Sequence, residues 1–174
     1  MKINLLTITF TLIGCMTFAQ TIPVITGETG ENKTVTFPQD LKGKYSLLCF
    51  ASSQKAEPEL QGWLDPVYQK FIAKTGIMDD MYDVNVYFVP VLTGTNLAFA
   101  SSMKKKFIET AQADLKSHVL FCEKDGREII EKLNMSSKDI PYFFLLDKDG
   151  KILYRTSGSF TDEKFDAIDD LIEM

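Results

Sequence analysis

The sequence predicts an α/β protein built as a three-layer α/β/α sandwich, with a mixed sheet of four or five strands and a C-terminal β-hairpin followed by a helix. Short apolar runs typical of buried strands alternate with segments whose apolar residues recur every three or four positions. A Lys-Asp-Gly tripeptide near the C-terminus marks a tight turn. Elements in this order place helices on both faces of one sheet.

The central strand of the sheet is predicted at residues 44–51. Its apolar side chains occupy both alternating faces, with Leu47 and Cys49 on one and Leu48 and Phe50 on the other. A strand with two apolar faces must be covered from both sides. Further strands are predicted at residues 34–37, 84–91, 119–122 and 142–146.

Three helices are predicted from 3.6-residue periodicity, at Leu60, Leu64, Val67 and Phe71, at Met103, Phe107, Ala111 and Leu115, and at Phe165, Ile168 and Ile172. Pro66 falls inside the first helix and removes a ladder hydrogen bond, so we expect a kink or a split there. Gly76 is expected to end that helix. Ser101 or Ser102 is expected to cap the second helix, and Thr161 the last.

A hairpin is predicted at Lys148-Asp149-Gly150, because glycine tolerates the positive φ that such turns require. It joins apolar runs at residues 142–147 and 151–156. The second run alternates in the manner of an edge strand. A short helix is expected before the hairpin, at residues 128–133.

Charge and composition exclude several classes of protein. The chain has 174 residues, and its 19 Lys plus Arg against 24 Asp plus Glu give a formal net charge of −5. Nucleic acid is not an expected partner, because affinity for phosphate backbones depends on an excess of Lys and Arg. With 45% hydrophobic residues the chain is too apolar for intrinsic disorder. No run long enough for a transmembrane helix follows the N-terminal segment.

The N-terminal segment has the pattern of a secretory signal peptide, residues 1–19. Lys2 supplies the positive start, residues 5–14 form a short apolar stretch, and Thr17-Phe18-Ala19 places a small residue at the cleavage point. The mature chain would then begin at Gln20 and be exported, to the periplasm or outside the cell. Residues 20–33 are expected to form an irregular lead-in and residues 34–174 the folded domain.

A second interpretation of the same segment remains open. Leu12-Ile13-Gly14-Cys15 resembles a bacterial lipoprotein signal, in which Cys15 becomes the lipidated first residue of the mature chain. The two kinds of processing are mutually exclusive. The lipid would change the location of the protein and leave its fold unchanged.

The remaining cysteines, Cys49 and Cys122, both lie inside apolar runs. Cysteine at such positions acts as a small buried hydrophobe, so we expect two buried free thiols. An oxidising compartment would also permit a disulfide between them.

Two motifs resemble those of thioredoxin-like proteins, in the branch of secreted thiol-disulfide oxidoreductases and peroxiredoxins. The segment from Phe37-Pro38-Gln39-Asp40 into Leu47-Leu48-Cys49-Phe50-Ala51-Ser52 is similar to that family's first strand. Asp139-Ile140-Pro141-Tyr142, followed by Asp149-Gly150-Lys151-Ile152, is similar to its cis-proline loop and terminal hairpin. The resemblance extends from about residue 34 to the C-terminus and implies a thioredoxin-like fold.

The resemblance also locates the family's Cys-X-X-Cys motif, which this sequence lacks. One register places Lys55 and Pro58 on the two cysteine positions, and the other places Gln54 and Glu57 there. The family's nucleophile is a thiolate that the helix N-terminus stabilises. Dithiol exchange and peroxide reduction by the family's mechanism are therefore not expected.

What the resemblance retains is the geometry of the site, a groove between the start of the first helix and the loop before the hairpin. A cis peptide before Pro141 is implied, and the loop in relatives pairs with an extended partner segment. An alternative role for Pro141 is only to shape the turn into the next strand. The expected groove residues are Ser53, Gln54, Lys55, Glu57, Pro58, Ile140 and Pro141.

No metal site or cofactor is expected. His118 is the chain's one histidine, and the mature chain has too few His and Cys residues for a structural zinc site. In Asp147-Lys148-Asp149-Gly150 the glycine lies at the fourth position, whereas a calcium loop requires it at the sixth.

The sequence therefore predicts an exported thioredoxin-like domain without redox cysteines that binds a protein or peptide in the cell envelope and serves assembly. One alternative is an unconventional thiol oxidoreductase or antioxidant that uses Cys49 or Cys122. Another is a structural subunit of an envelope complex, anchored by lipid at Cys15.

Overall fold

Seven strands and four α-helices follow one another along the chain in a computed structural model that describes residues 20–122, 124 and 126–172. The expected signal peptide and Cys15 lie outside the described residues. The strands are β1 Ile25–Thr29, β2 Thr34–Phe37, β3 Tyr45–Ala51, β4 Val84–Pro90, β5 Leu120–Cys122, β6 Tyr142–Leu146 and β7 Ile152–Ser157. The helices are α1 Glu57–Val67, α2 Ala100–Thr110, α3 Arg127–Lys132 and α4 Asp162–Asp169.

The main sheet has four strands in the order β4-β3-β6-β7, and it is mixed. Strand β3 pairs in parallel with β4 and antiparallel with β6, and β6 pairs antiparallel with β7. A second, antiparallel sheet has the order β2-β1-β5. An isolated parallel bridge between Phe88 and Val119 connects the two sheets. The fold class that the sequence predicts is confirmed.

Strand β3 divides the core into two clusters. Leu48 and Phe50 point to one side, where β1, β2 and α3 cover them, and Leu47 and Cys49 point to the other, where α1 and α4 cover them. All four side chains are at most 1% exposed. The predicted two-sided burial is confirmed, and on the first side a small sheet shares the covering layer with a helix.

The expectation of an irregular lead-in at residues 20–33 is wrong, because β1 forms there. Its alternate residues Ile25, Gly27 and Thr29 are buried, in the period of a half-buried strand. Glycine at the middle position hides that period from hydrophobic patterning. A side chain would not fit at Gly27, since an added Cβ would lie 2.5 Å from the carbonyl oxygen of Phe121 on the neighbouring strand β5.

The predicted interruption at Pro66 is confirmed. Helix α1 changes into a π-helical turn at Tyr68–Ile72, directly after the proline. Proline cannot donate to the helical ladder, and a local π turn is one way a helix accommodates that loss. The end expected at Gly76 is wrong, because the helical segment stops at Ile72 and Lys74 takes the left-handed conformation with φ 51°.

The cap of α4 is confirmed, and that of α2 is not. The Thr161 hydroxyl accepts from the backbone N–H of Lys164 at 3.3 Å. Helix α2 instead continues from a 3-10 segment, Gly94–Phe99, so its first amides need no serine cap. The Ser102 hydroxyl donates to the carbonyl oxygen of Phe99 at 2.9 Å.

The predicted hairpin joins β6 to β7. Gly150 adopts φ 86°, and its N–H donates to the carbonyl oxygen of Asp147 at 3.0 Å. The Asp147 carboxylate accepts from the N–H groups of Asp149 at 2.9 Å and Lys151 at 2.8 Å. The turn holds the strand that follows Pro141 in place.

Trp63 on α1 ties the helix to the hairpin, and its loss should be costly. The indole stacks on Phe143 with ring centroids 4.1 Å apart, and its Nε1–H donates to the carbonyl oxygen of Gly158 at 3.0 Å. We expect Trp63→Ala to lower the free energy of unfolding by about 3–5 kcal/mol, measured by urea denaturation. Trp63→Phe keeps most of the packing but leaves Gly158 without its donor, at a cost of about 1–3 kcal/mol. A loss no larger than that of the half-exposed control Leu153→Ala would contradict this role.

Candidate functional site

The candidate site lies where β3 ends and the first helical turn begins. Ser53 is extended, with φ −153°, and its hydroxyl accepts from the backbone N–H of Lys55 at 3.2 Å. This cap starts the 3-10 turn Gln54–Ala56, which leads directly into α1. A serine at this position supplies the acceptor that the first unpaired amides require.

Asp139 connects this helix start to the loop before β6. The Ser53 hydroxyl donates to Asp139 Oδ1 at 3.4 Å, and Lys55 Nζ lies 3.2 Å from Asp139 Oδ2. The Lys55 and Asp139 side chains are 77% and 55% exposed, so water screens their attraction. The pair therefore presents two opposite charges at the surface and contributes little to stability.

The sequence prediction names the two sides of this site correctly but omits Asp139 from its groove residues. Ser53 and Lys55 do contact the loop that carries Ile140 and Pro141. The signal for Asp139 was its place directly before Ile140-Pro141, opposite a lysine. Among the other expected residues, Gln54, Glu57 and Pro58 are exposed, Ile140 is half-buried and Pro141 is buried.

The backbone around Pro141 differs from expectation in one respect. Among the described residues the cis peptide bond is Phe37–Pro38, and the bond before Pro141 is not cis, so that prediction is wrong. The Pro141 carbonyl oxygen accepts from the N–H of Gly158 at 2.9 Å, which extends the β6–β7 pairing by one step. This pairing fixes Pro141 by β-sheet hydrogen bonding.

Hydrogen-bonding capacity remains unused beside the site. Ser52 Oγ and Glu59 Oε2 are buried and have no hydrogen-bond partner within the part of the chain that the structure describes. In the same part of the chain, the backbone of Ile140 makes no hydrogen bond. Buried polar atoms in proteins are nearly always paired, so two unpaired oxygens next to one loop call for an explanation.

Comparison with known proteins identifies the family. The model of the ATP10 protein family matches residues 17–173. The chain belongs to the ATP10 protein family. No curated protein matches the chain.

Solved structures similar to this ATP10 family member share the thioredoxin-like fold. The thioredoxin domain of a thiol-disulfide oxidoreductase from Bacteroides vulgatus has 19% identity and a TM-score of 0.55, covering 89% of this chain and 97% of that one. BsSco, of the Sco family of cytochrome c oxidase assembly proteins, has 16% identity and a TM-score of 0.62, covering 88% and 92%. A copper-bound yeast Sco protein has 14% identity and a TM-score of 0.54, covering 87% and 90%. At these identities the likeness shows the fold alone.

The cysteines of this ATP10 family member are far from thiolate chemistry. Cys49 and Cys122 are free and buried, as predicted, and they belong to the two different core clusters on opposite sides of β3. Burial raises the pKa of the Cys49 thiol above its ordinary value and that of Cys122 to about 12. A thiol in such surroundings stays protonated and unreactive. The alternative that uses either cysteine as a nucleophile is therefore disfavoured.

Neither His118 nor a metal cluster adds chemistry to the site. His118 Nδ1 donates to the carbonyl oxygen of Val86 at 2.8 Å, so that nitrogen has a structural partner on β4. Across residues 20–122, 124 and 126–172, no group of three or more His, Cys, Asp or Glu residues is placed to hold a metal ion. None of the helices in those ranges has the length and apolar character to cross a bilayer.

Thiol labelling tests the burial of the two cysteines. We expect iodoacetamide to modify neither Cys49 nor Cys122 in the folded protein and both after unfolding in guanidinium, because only the exposed thiolate reacts. Mass spectrometry of the intact protein measures the number of labels. Rapid labelling of either residue in the folded state would contradict the burial and revive the thiol alternative.

Proposed function

We propose that this chain is an exported thioredoxin-like binding module, which serves the assembly of a respiratory membrane complex without thiol chemistry of its own. One observation carries the proposal. The helix start that bears two cysteines in thioredoxin-like oxidoreductases carries Ser53, Gln54, Lys55 and Glu57 here, and Lys55 is paired with Asp139 across the site. The arrangement keeps a surface where a partner can bind and has no nucleophile with which to modify it.

The assembly role is supported by family membership. The ATP10 family model carries ATP synthase in its name, and one similar structure belongs to a family of cytochrome c oxidase assembly proteins. These two lines point to the same process, the building of a respiratory complex. A protein partner follows from that process, and the N-terminal signal pattern supports action in the cell envelope.

The partner is proposed to bind as an extended segment at the loop of residues 139–141. The unpaired backbone of Ile140 can exchange hydrogen bonds with such a segment, as an added strand does. Lys55 and Asp139 would then read a complementary pair of charges on the partner. Because this pair is exposed, its exchange for contacts with a partner costs little desolvation.

An insulin-reduction assay tests the absence of thiol chemistry. We expect no turnover by the native protein, because Cys49 and Cys122 are buried. Two grafted variants serve as positive controls, Gln54→Cys with Glu57→Cys and Lys55→Cys with Pro58→Cys, one for each register of the family's motif. A thiol at either helix start gains from the helix dipole and should react. Turnover by the native protein at the level of the better graft would refute the proposal.

Charge exchange across the site tests the binding role in the host cell. We expect Lys55→Glu to lower the yield of assembled complex, measured by native electrophoresis of host membranes, with little change in the stability of the purified protein. The double variant Lys55→Glu with Asp139→Lys restores the attraction but reverses its direction. A partner that reads the two charges should still be rejected by the double variant. Full recovery in the double variant would mean that the pair acts only within the fold.

A further inference from the structure

Three large apolar side chains stand in water on one loop far from the candidate site. The loop of residues 76–81, called the Ile77 loop below, connects the π turn after α1 to β4. Ile77 is 101% exposed, Met78 54% and Met81 52%. Scattered exposed apolar residues are ordinary, but three within five positions form a patch of the kind that marks an interaction surface.

The Ile77 loop is ordered by its own hydrogen bonds. The Asp79 carboxylate accepts from the N–H of Gly76 at 2.7 Å, and the N–H of Met81 donates to the carbonyl oxygen of Met78 at 3.1 Å. The next residue, Tyr82, is 6% exposed and packs edge-on against Phe71 at 5.5 Å between ring centroids. The fold therefore holds the apolar side chains outward on a fixed turn.

The charges around the patch are negative. Asp80 is exposed and makes no ion pair or hydrogen bond within the described ranges. Asp83 is 72% exposed and is paired with Lys44 at 2.6 Å. Acidic groups beside an apolar patch disfavour an anionic lipid surface, whose headgroups would repel them. They also disfavour a symmetric contact with a second copy, which would bring the same carboxylates together.

We propose that the Ile77 loop binds a basic amphipathic segment of a partner protein. Apolar side chains of the segment would pack on Ile77, Met78 and Met81, and its Lys or Arg residues would face Asp80 and Asp83. Methionine suits such a surface because its flexible side chain adapts to different partners. Charge complementarity is the reason for choosing this occupant.

This surface is separate from the candidate site. In the parallel register Tyr45 lies beside Val84 and Ala51 beside Pro90, so the Ile77 loop precedes one end of these strands and the helix start follows the other. Seven residues of strand separate the two ends by about 20 Å. The inference therefore does not rest on the proposed function of the helix start.

A model peptide tests the proposal directly. The probe is a synthetic amphipathic helix of leucine and lysine, and its counterpart of leucine and glutamate is the charge control. We expect saturable binding of the first peptide by isothermal titration calorimetry and none of the second. Ile77→Ser with Met78→Ser should weaken binding at least about tenfold, because two apolar side chains leave the interface.

Matched variants separate this surface from general acidity and stickiness. Val24→Ser with Leu153→Ser removes two other exposed apolar side chains and should change the affinity less than about twofold. Asp80→Lys should weaken binding more than Asp166→Lys, which makes the same charge change on the exposed part of α4. Lys55→Glu at the candidate site should leave the affinity unchanged.

Four results would overturn the proposal. They are no saturable binding of the leucine–lysine peptide, equal weakening by the two pairs of serine substitutions, a dimer that disappears with the Ile77 and Met78 substitutions, and binding to phosphatidylglycerol vesicles that the same substitutions abolish. The third result would assign the loop to a second copy, and the fourth to a membrane. Sedimentation velocity and vesicle co-sedimentation measure them.

Discussion

The burial of β3 on both faces is the constraint on which the rest of the structure depends. Six of its seven residues are buried, from Tyr45 to Phe50, and both edges of the strand are paired, with β4 and with β6. A strand so placed must have a covering layer on each side, and these layers recruit α1 and α4 to one face and α3 with the small sheet to the other. Its end at Ala51 then fixes where the first helix begins, and so where the candidate site lies.

The features predicted correctly from the sequence are those whose cause is local. The run at residues 44–51 is apolar on both faces, Gly150 meets the φ of its turn, and Thr161 supplies its own acceptor to α4. Pro66 disrupts its helix wherever the helix lies, because its missing N–H is part of the residue itself.

The features missed depend on neighbours that are distant in sequence. Strand β1 is buried through Gly27, whose role becomes visible only when the backbone of Phe121 lies against it. Asp139 enters the site because it meets Ser53 and Lys55 across 86 and 84 residues of sequence. The start of α2 is set by a 3-10 segment before it and not by a capping serine. Tertiary context decides such cases, and hydrophobic periodicity carries no record of it.

The same burial that makes β3 the centre of the fold also removes its cysteine from chemistry. A reactive thiol needs an exposed, electropositive position where the thiolate is favoured. Any cysteine between Tyr45 and Phe50 would be buried and held protonated, as Cys49 is. The first position after β3 that combines exposure with a helix N-terminus is the turn at Gln54–Ala56. A thioredoxin-like chain without sulfur there keeps the scaffold and its binding surface, and what acts on a partner at this surface is shape, charge and backbone hydrogen bonding.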